Sequence, residues 1–131
     1  MSVIHTAIIA DDDEDIRQLV VISAKKAGIE IVAAVDNGLA AWDAVSRGGI
    51  DLAILDISMP GMNGLEVADL IRADAGLVGT RVLMVSASVQ MLTGDNVVPV
   101  ISGRRDDRFI LKPFSPRELT NTITEMLAEE D

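Results

Sequence analysis

The chain predicts an α/β protein built on a doubly wound parallel sheet, and three observations carry that expectation. Short apolar runs alternate with helical patterns along the whole length. The runs are apolar throughout, as strands buried on both faces are, and turn signals bound them. Four of them stop at a polar residue. Ala7-Ile8-Ile9-Ala10 meets Asp11-Asp12, Leu52-Ala53-Ile54-Leu55 meets Asp56, Val82-Leu83-Met84-Val85 meets Ser86, and Phe109-Ile110-Leu111 meets Lys112. Right-handed crossovers between such strands put helices on both faces of the sheet.

Residues 5–10 form the first strand. Ile16, Leu19, Val20, Ser23, Ala24 and Ala27 then recur at helical spacing until Gly28 stops the pattern. Glu30–Val35 is the second strand. Asn37-Gly38 caps a helix carrying Ala41, Trp42 and Val45, ended by Gly48-Gly49, and residues 51–56 form the third strand. After the Pro60-Gly61 turn, Asn63 with Glu66 three residues on marks a helix start, with Leu65, Ala68 and Ile71 on one face. Residues 81–86 and 108–111 supply the fourth and fifth strands. Ser115-Pro116-Arg117-Glu118 opens the last helix: serine to cap, proline for the first turn, glutamate at the third position. Its buried stripe is Leu119, Ile123, Met126 and Leu127. Between Ser88 and Asp107, Gly94 and Pro99 interrupt any regular helix, so a short, distorted or irregular segment is expected there.

A length of 131 residues fits one domain, 1–131, and a hydrophobic content of 49% gives it enough apolar surface for a real core. Cysteine is absent, which excludes disulfides and thiolate metal sites. No export signal is apparent, and no apolar run approaches the roughly 20 residues of a membrane helix. The expected location is cytoplasmic, with no membrane association. A net charge of −10 counts against gripping nucleic acid and suits protein partners.

In a parallel sheet the C-terminal strand ends share one edge, where open α/β sheets bind ligands. Asp11, Asp12, Asp56, Ser86 and Lys112 should therefore converge. Three carboxylates against one ammonium leave negative charge uncompensated, which should recruit a small hard cation such as Mg2+.

The stretches IIADDDEDIRQLV, NGLAAWDAV, LAILDISMPGMNGLEV, VLMVSAS and FILKPFSPREL, in that order, resemble a response-regulator receiver domain. The separations of 45 positions from Asp11 to Asp56 and 30 from Asp56 to Ser86 match that family. The resemblance implies a flavodoxin-like five-stranded sheet of order 2-1-3-4-5. It implies phosphorylation on Asp56 by a histidine kinase or histidine phosphotransfer protein, and a downstream protein target. Asp11 and Asp12 match the metal-binding acid pair. Asp56 and the backbone carbonyl of Ser58 match further metal ligands. Ser86 matches the hydroxyl position, and Lys112 the lysine that precedes a proline, often across a cis bond. Phe109 takes the place of a switch aromatic: Ser86 moving toward the phosphoryl group vacates space its ring can fill, shifting a surface over 88–119. Ser58 and Ser88 fall where the family tunes acyl-phosphate lifetime. The resemblance describes a phosphoryl acceptor and not an enzyme acting on other molecules, and the chain reads either as a stand-alone module or as a receiver cut from a hybrid kinase or longer regulator.

Other residues read more plainly. Asp13, Glu14 and Asp15 cap and solvate a helix start. His5 is a surface or strand-edge residue, Trp42 packs its helix, Met59 and Met62 pack the site loop, and Arg104-Arg105 lies in a solvated turn. The 26 positions from Ser86 to Lys112 exceed the family's usual spacing, so the fourth helix is expected to be atypical. Two other functions compete. One is a haloacid-dehalogenase-like phosphatase, in which Asp11-x-Asp13 would be the nucleophile motif. The other is a pseudo-receiver that binds partners without phosphorylation.

Overall fold

The structure is a computed structural model that describes residues 4–86 and 107–128. Strands β1 (Thr6–Ala10), β2 (Glu30–Val35), β3 (Leu52–Asp56), β4 (Arg81–Ser86) and β5 (Arg108–Leu111) form one sheet. It is parallel throughout, in the order β2-β1-β3-β4-β5. The helices are α1 (Glu14–Lys26), α2 (Gly38–Ser46), α3 (Gly64–Ala73) and α4 (Pro116–Ala128). A short 3-10 turn, Ala75–Leu77, leads into β4, and a register shift between Ala7 and Ile8 kinks the β1–β2 pairing; neither had a sequence signal.

Strand alternation splits the core in two. Ile8, Ala53, Leu55, Val82 and Met84 face one side and pack with Ala41 and Val45 of α2 and Val67, Ala68 and Ile71 of α3. Ala7, Ile9, Leu52, Ile54, Leu83 and Val85 face the other, against Val20 and Ala24 of α1 and Leu119, Ile123 and Met126 of α4. Each of the larger side chains contributes about 1.5–3 kcal/mol by leaving water. The three central strands are buried on both faces, which is why their sequence is apolar without alternation.

The helix starts follow from side chains that satisfy otherwise unpaired N–H groups. The Asp13 carboxylate accepts from the Asp15 and Ile16 N–H groups, at 2.9 and 3.2 Å. Asn37 accepts from the Ala40 N–H at 2.8 Å. Asn63 and Glu66 form a reciprocal capping box at α3, and Ser115 and Glu118 form another at α4. These caps fix where each helix leaves the sheet, and so where the loops at its C-terminal edge run. The expected irregular segment over 88–107, with Ser88, Pro99 and Arg104-Arg105, lies outside the described residues except for Asp107.

Candidate functional site

Buried strands deliver their terminal residues to the C-terminal edge with little freedom. Asp11 follows β1, and its N–H donates to the Val35 carbonyl of β2 at 3.0 Å. Asp56 is the last residue of β3, and the next N–H, that of Ile57, bonds the Val85 carbonyl of β4 at 3.0 Å. Ser86 ends β4. Its carbonyl accepts from the Lys112 N–H at 2.7 Å, tying the ends of β4 and β5 together. The Lys112–Pro113 peptide bond is cis.

Three of the predicted acids come together. One carboxylate oxygen from each of Asp11, Asp12 and Asp56 lies within 4.8 Å of the others. Asp11 and Asp56 are buried and Asp12 is exposed, so the cluster opens to solvent on one side. The Lys112 ammonium stands 3.3 Å from Asp11 Oδ2 and 3.5 Å from Asp56 Oδ2. The other Asp11 oxygen, Oδ1, accepts from the Asp13 N–H at 2.9 Å. Ser86 is fully buried at the neighbouring strand end, whereas Phe109 holds its ring outward with 42% of its surface exposed. Ser58 is exposed.

The charge balance shows in Asp56. Burial pushes its carboxyl up, and the Asp11 carboxylate pushes it further; Lys112 and the Ser58 N–H pull it down, and Asp12 adds a smaller push. The result is about 6, against 3.8 for a free aspartate. One lysine therefore falls short of neutralising the site. Hard carboxylate oxygens, excess negative charge and an open side suit a small divalent cation such as Mg2+.

The remaining residues take the plainer roles. Asp13 caps α1, and Asp12 rather than Asp13 joins the cluster. Met59 is buried, and Met62 packs against the same core as Trp42. His5 lies at the opposite edge, with Nδ1 3.6 Å from Asp51. Two features were missed. Arg17 reaches from α1 to the Asp11 backbone carbonyl, Nη1 to O 2.9 Å. An arginine one turn into a helix is an ordinary residue, and nothing local marks that reach. Gly38 reads as part of a cap signal, but it also lies against the Met62 backbone, a contact between distant segments.

A five-stranded parallel sheet of order 2-1-3-4-5 with an acidic cluster and a lysine at its C-terminal edge places the chain among open α/β domains whose ligand-binding edge lies at the strand C-termini. The comparisons narrow it. Residues 7–124 match the response regulator receiver domain, and the chain belongs to that family. It is 33% identical over 124 residues to the DNA-binding response regulator MtrA of Mycobacterium tuberculosis, covering 95% of this chain and 51% of MtrA. The chain thus spans about half the length of that relative. A Staphylococcus aureus DNA-binding response regulator of the LuxR family superposes with a TM-score of 0.78 at 33% identity, over 94% of this chain and 98% of that one. The Thermotoga maritima response regulator TrrA, solved in complex with Mg2+ and BeF, superposes at 0.77 with 28% identity, over 94% and 99%. Among the described residues no helix is long and apolar enough to cross a membrane.

Proposed function

We propose that this domain is a phosphoryl acceptor in a two-component relay, with Asp56 as the accepting residue. The observation that carries this reading is the meeting of Asp11, Asp12 and Asp56 beside Lys112, with Asp56 pushed up to about 6. Asp11, Asp12, Asp56 and the Ser58 carbonyl would hold Mg2+, which when bound supplies positive charge to the cluster and to a phosphoryl group. One Asp56 carboxylate oxygen attacks phosphorus as the bond from phosphorus to the donor breaks. The donor, a histidine of a kinase or phosphotransfer protein, keeps the bonding electron pair and takes up a proton. Lys112 already contacts Asp56 and can pass its ammonium to a phosphoryl oxygen. The Ser86 hydroxyl can donate to a second, and that inward movement opens room for the outward ring of Phe109. A local charge event is thereby read out at the β4–β5 end of the sheet, within a surface over 88–119 that meets a downstream protein.

The phosphatase reading loses its second acid. Asp13 is exposed and spends its carboxylate on the start of α1. Incubation with Mg2+ and acetyl phosphate, followed by intact mass, tests the proposal. A gain of one phosphoryl group, absent in Asp56→Asn, is expected. An unchanged mass, or a gain that persists in Asp56→Asn, would overturn it.

A further inference from the structure

The loop from Ile57 to Asn63 leads away from Asp56 and carries Ser58. Glycines hold it at two places. Gly64 opens α3, and a Cβ there would lie 2.4 Å from the Asp56 backbone oxygen. That contact joins the two ends of one loop. The second comes from another element. A Cβ on Gly38, the first residue of α2, would lie 1.7 Å from the Met62 carbonyl oxygen and 2.5 Å from its carbonyl carbon. Those are backbone atoms, so no rotamer change can make room.

Conformational freedom does not explain this glycine. Among the described residues, positive φ occurs at Gly28, Gly48, Gly49 and Gly61, and Gly38 is not one of them. Close backbone approach does. The next residue extends the contact: Leu39 Cδ1 and Cγ lie 3.7 and 3.8 Å from where a Cβ on Gly61 would stand. Leu39 is 61% exposed, so it roofs the loop from outside the core. The first turn of α2 is therefore a seat shaped to the far half of the loop, with Gly38 under Met62 and Leu39 over Gly61.

We propose that the N-terminus of α2 is a positioning element for the acceptor loop, and that Gly38 sets how fast Asp56 takes a phosphoryl group. The inference rests on the reading of Asp56 as acceptor. Gly38 touches none of the reacting atoms and acts through the chain between Met62 and Ser58. Relieving a 1.7 Å approach requires the loop and α2 to part, and displacements of about 1 Å at reacting groups can cost as much as 100-fold in rate.

The test is the rate of mass gain with acetyl phosphate and Mg2+, at a temperature where each variant is folded by circular dichroism. Gly38→Ala should slow the gain by about tenfold or more, and Leu39→Ala by about two- to threefold. Gly79→Ala, where a Cβ meets nothing within 4 Å, should keep the wild-type rate. Ile123→Ala, in the core under α4, should lower Tm and also keep the rate, which separates positioning from lost stability. An unchanged rate in Gly38→Ala overturns the proposal, as does an equal slowing in Ile123→Ala. If Gly38→Ala does not fold, an unchanged rate in Leu39→Ala overturns it. A wild-type protein that gains no mass overturns the acceptor reading together with this one, whereas a phosphorylated wild type confines the failure to α2.

Discussion

Asp56 and Asp107 are equally buried, 4% exposed each, but they sit at opposite edges of the sheet and in opposite company. Asp107 precedes β5 at the N-terminal edge. Its Oδ1 accepts from the Val82 N–H at 3.1 Å, and its Oδ2 pairs with the Arg72 guanidinium from the end of α3. Among the described residues, one carboxylate there meets one cation and one N–H donor. Asp56 shares a single lysine with Asp11 and faces Asp12 as well. At the N-terminal edge polar groups are satisfied locally, as where the Thr6 N–H and the Thr80 hydroxyl bond Asp51 and the Ile50 carbonyl at 2.8 and 2.7 Å. The C-terminal edge keeps negative charge that Lys112 alone does not offset.

Substituting each aspartate should give opposite effects on stability. Asp107→Ala removes a buried carboxylate that pairs with Arg72 and accepts from the Val82 N–H, and should cost about 3–5 kcal/mol in urea unfolding. Asp56→Asn should do the reverse in metal-free protein. It removes a charge the fold holds at a disadvantage and should stabilise by about 1–3 kcal/mol at neutral pH. Equal destabilisation by the two substitutions would show that the edges do not differ as described.

Asp56 has a folded-state value of about 6 against 3.8 when free, so the unfolded chain releases this proton first as pH rises. The stability Asp56 contributes is fully present below about 4 and is lost as pH climbs through about 6. In the presence of a chelator, unfolding free energy should therefore fall by up to about 3 kcal/mol across that window, and the fall should vanish in Asp56→Asn. Mg2+ should restore the loss, by about 2.7 kcal/mol at 100 times its dissociation constant, and by more at pH 7 than at pH 5. Thermal melts with and without chelator measure this, and Asp12→Asn should weaken the response. The smallest effect belongs to a residue that tests neither edge directly. Ser115→Ala removes the cap of α4 and should cost about 1 kcal/mol with no change in Mg2+ affinity by calorimetry.

The strands were legible because burial on both faces leaves an uninterrupted apolar run, and the residue that ends each run announces the sheet edge. β2, β4 and β5 fall on the predicted residues, and β1 and β3 begin one residue later than expected. The caps were legible because Asn63-x-x-Glu66 and Ser115-x-x-Glu118 are local signals. The acidic cluster followed from strand direction, and the family resemblance agreed with it. What escaped was non-local. The fit of Gly38 under Met62, the reach of Arg17 to Asp11 and the pairing of Arg72 with Asp107 join segments that no short window contains. The β1–β2 register shift escaped for the same reason, since pairing is a property of two strands together.

The 2.7 Å bond from the Lys112 N–H to the Ser86 carbonyl has a mechanical corollary. The tips of β4 and β5 are spliced at the backbone, so a shift of either strand end carries to the other, and Phe109, within β5 and three residues before Lys112, moves with that splice.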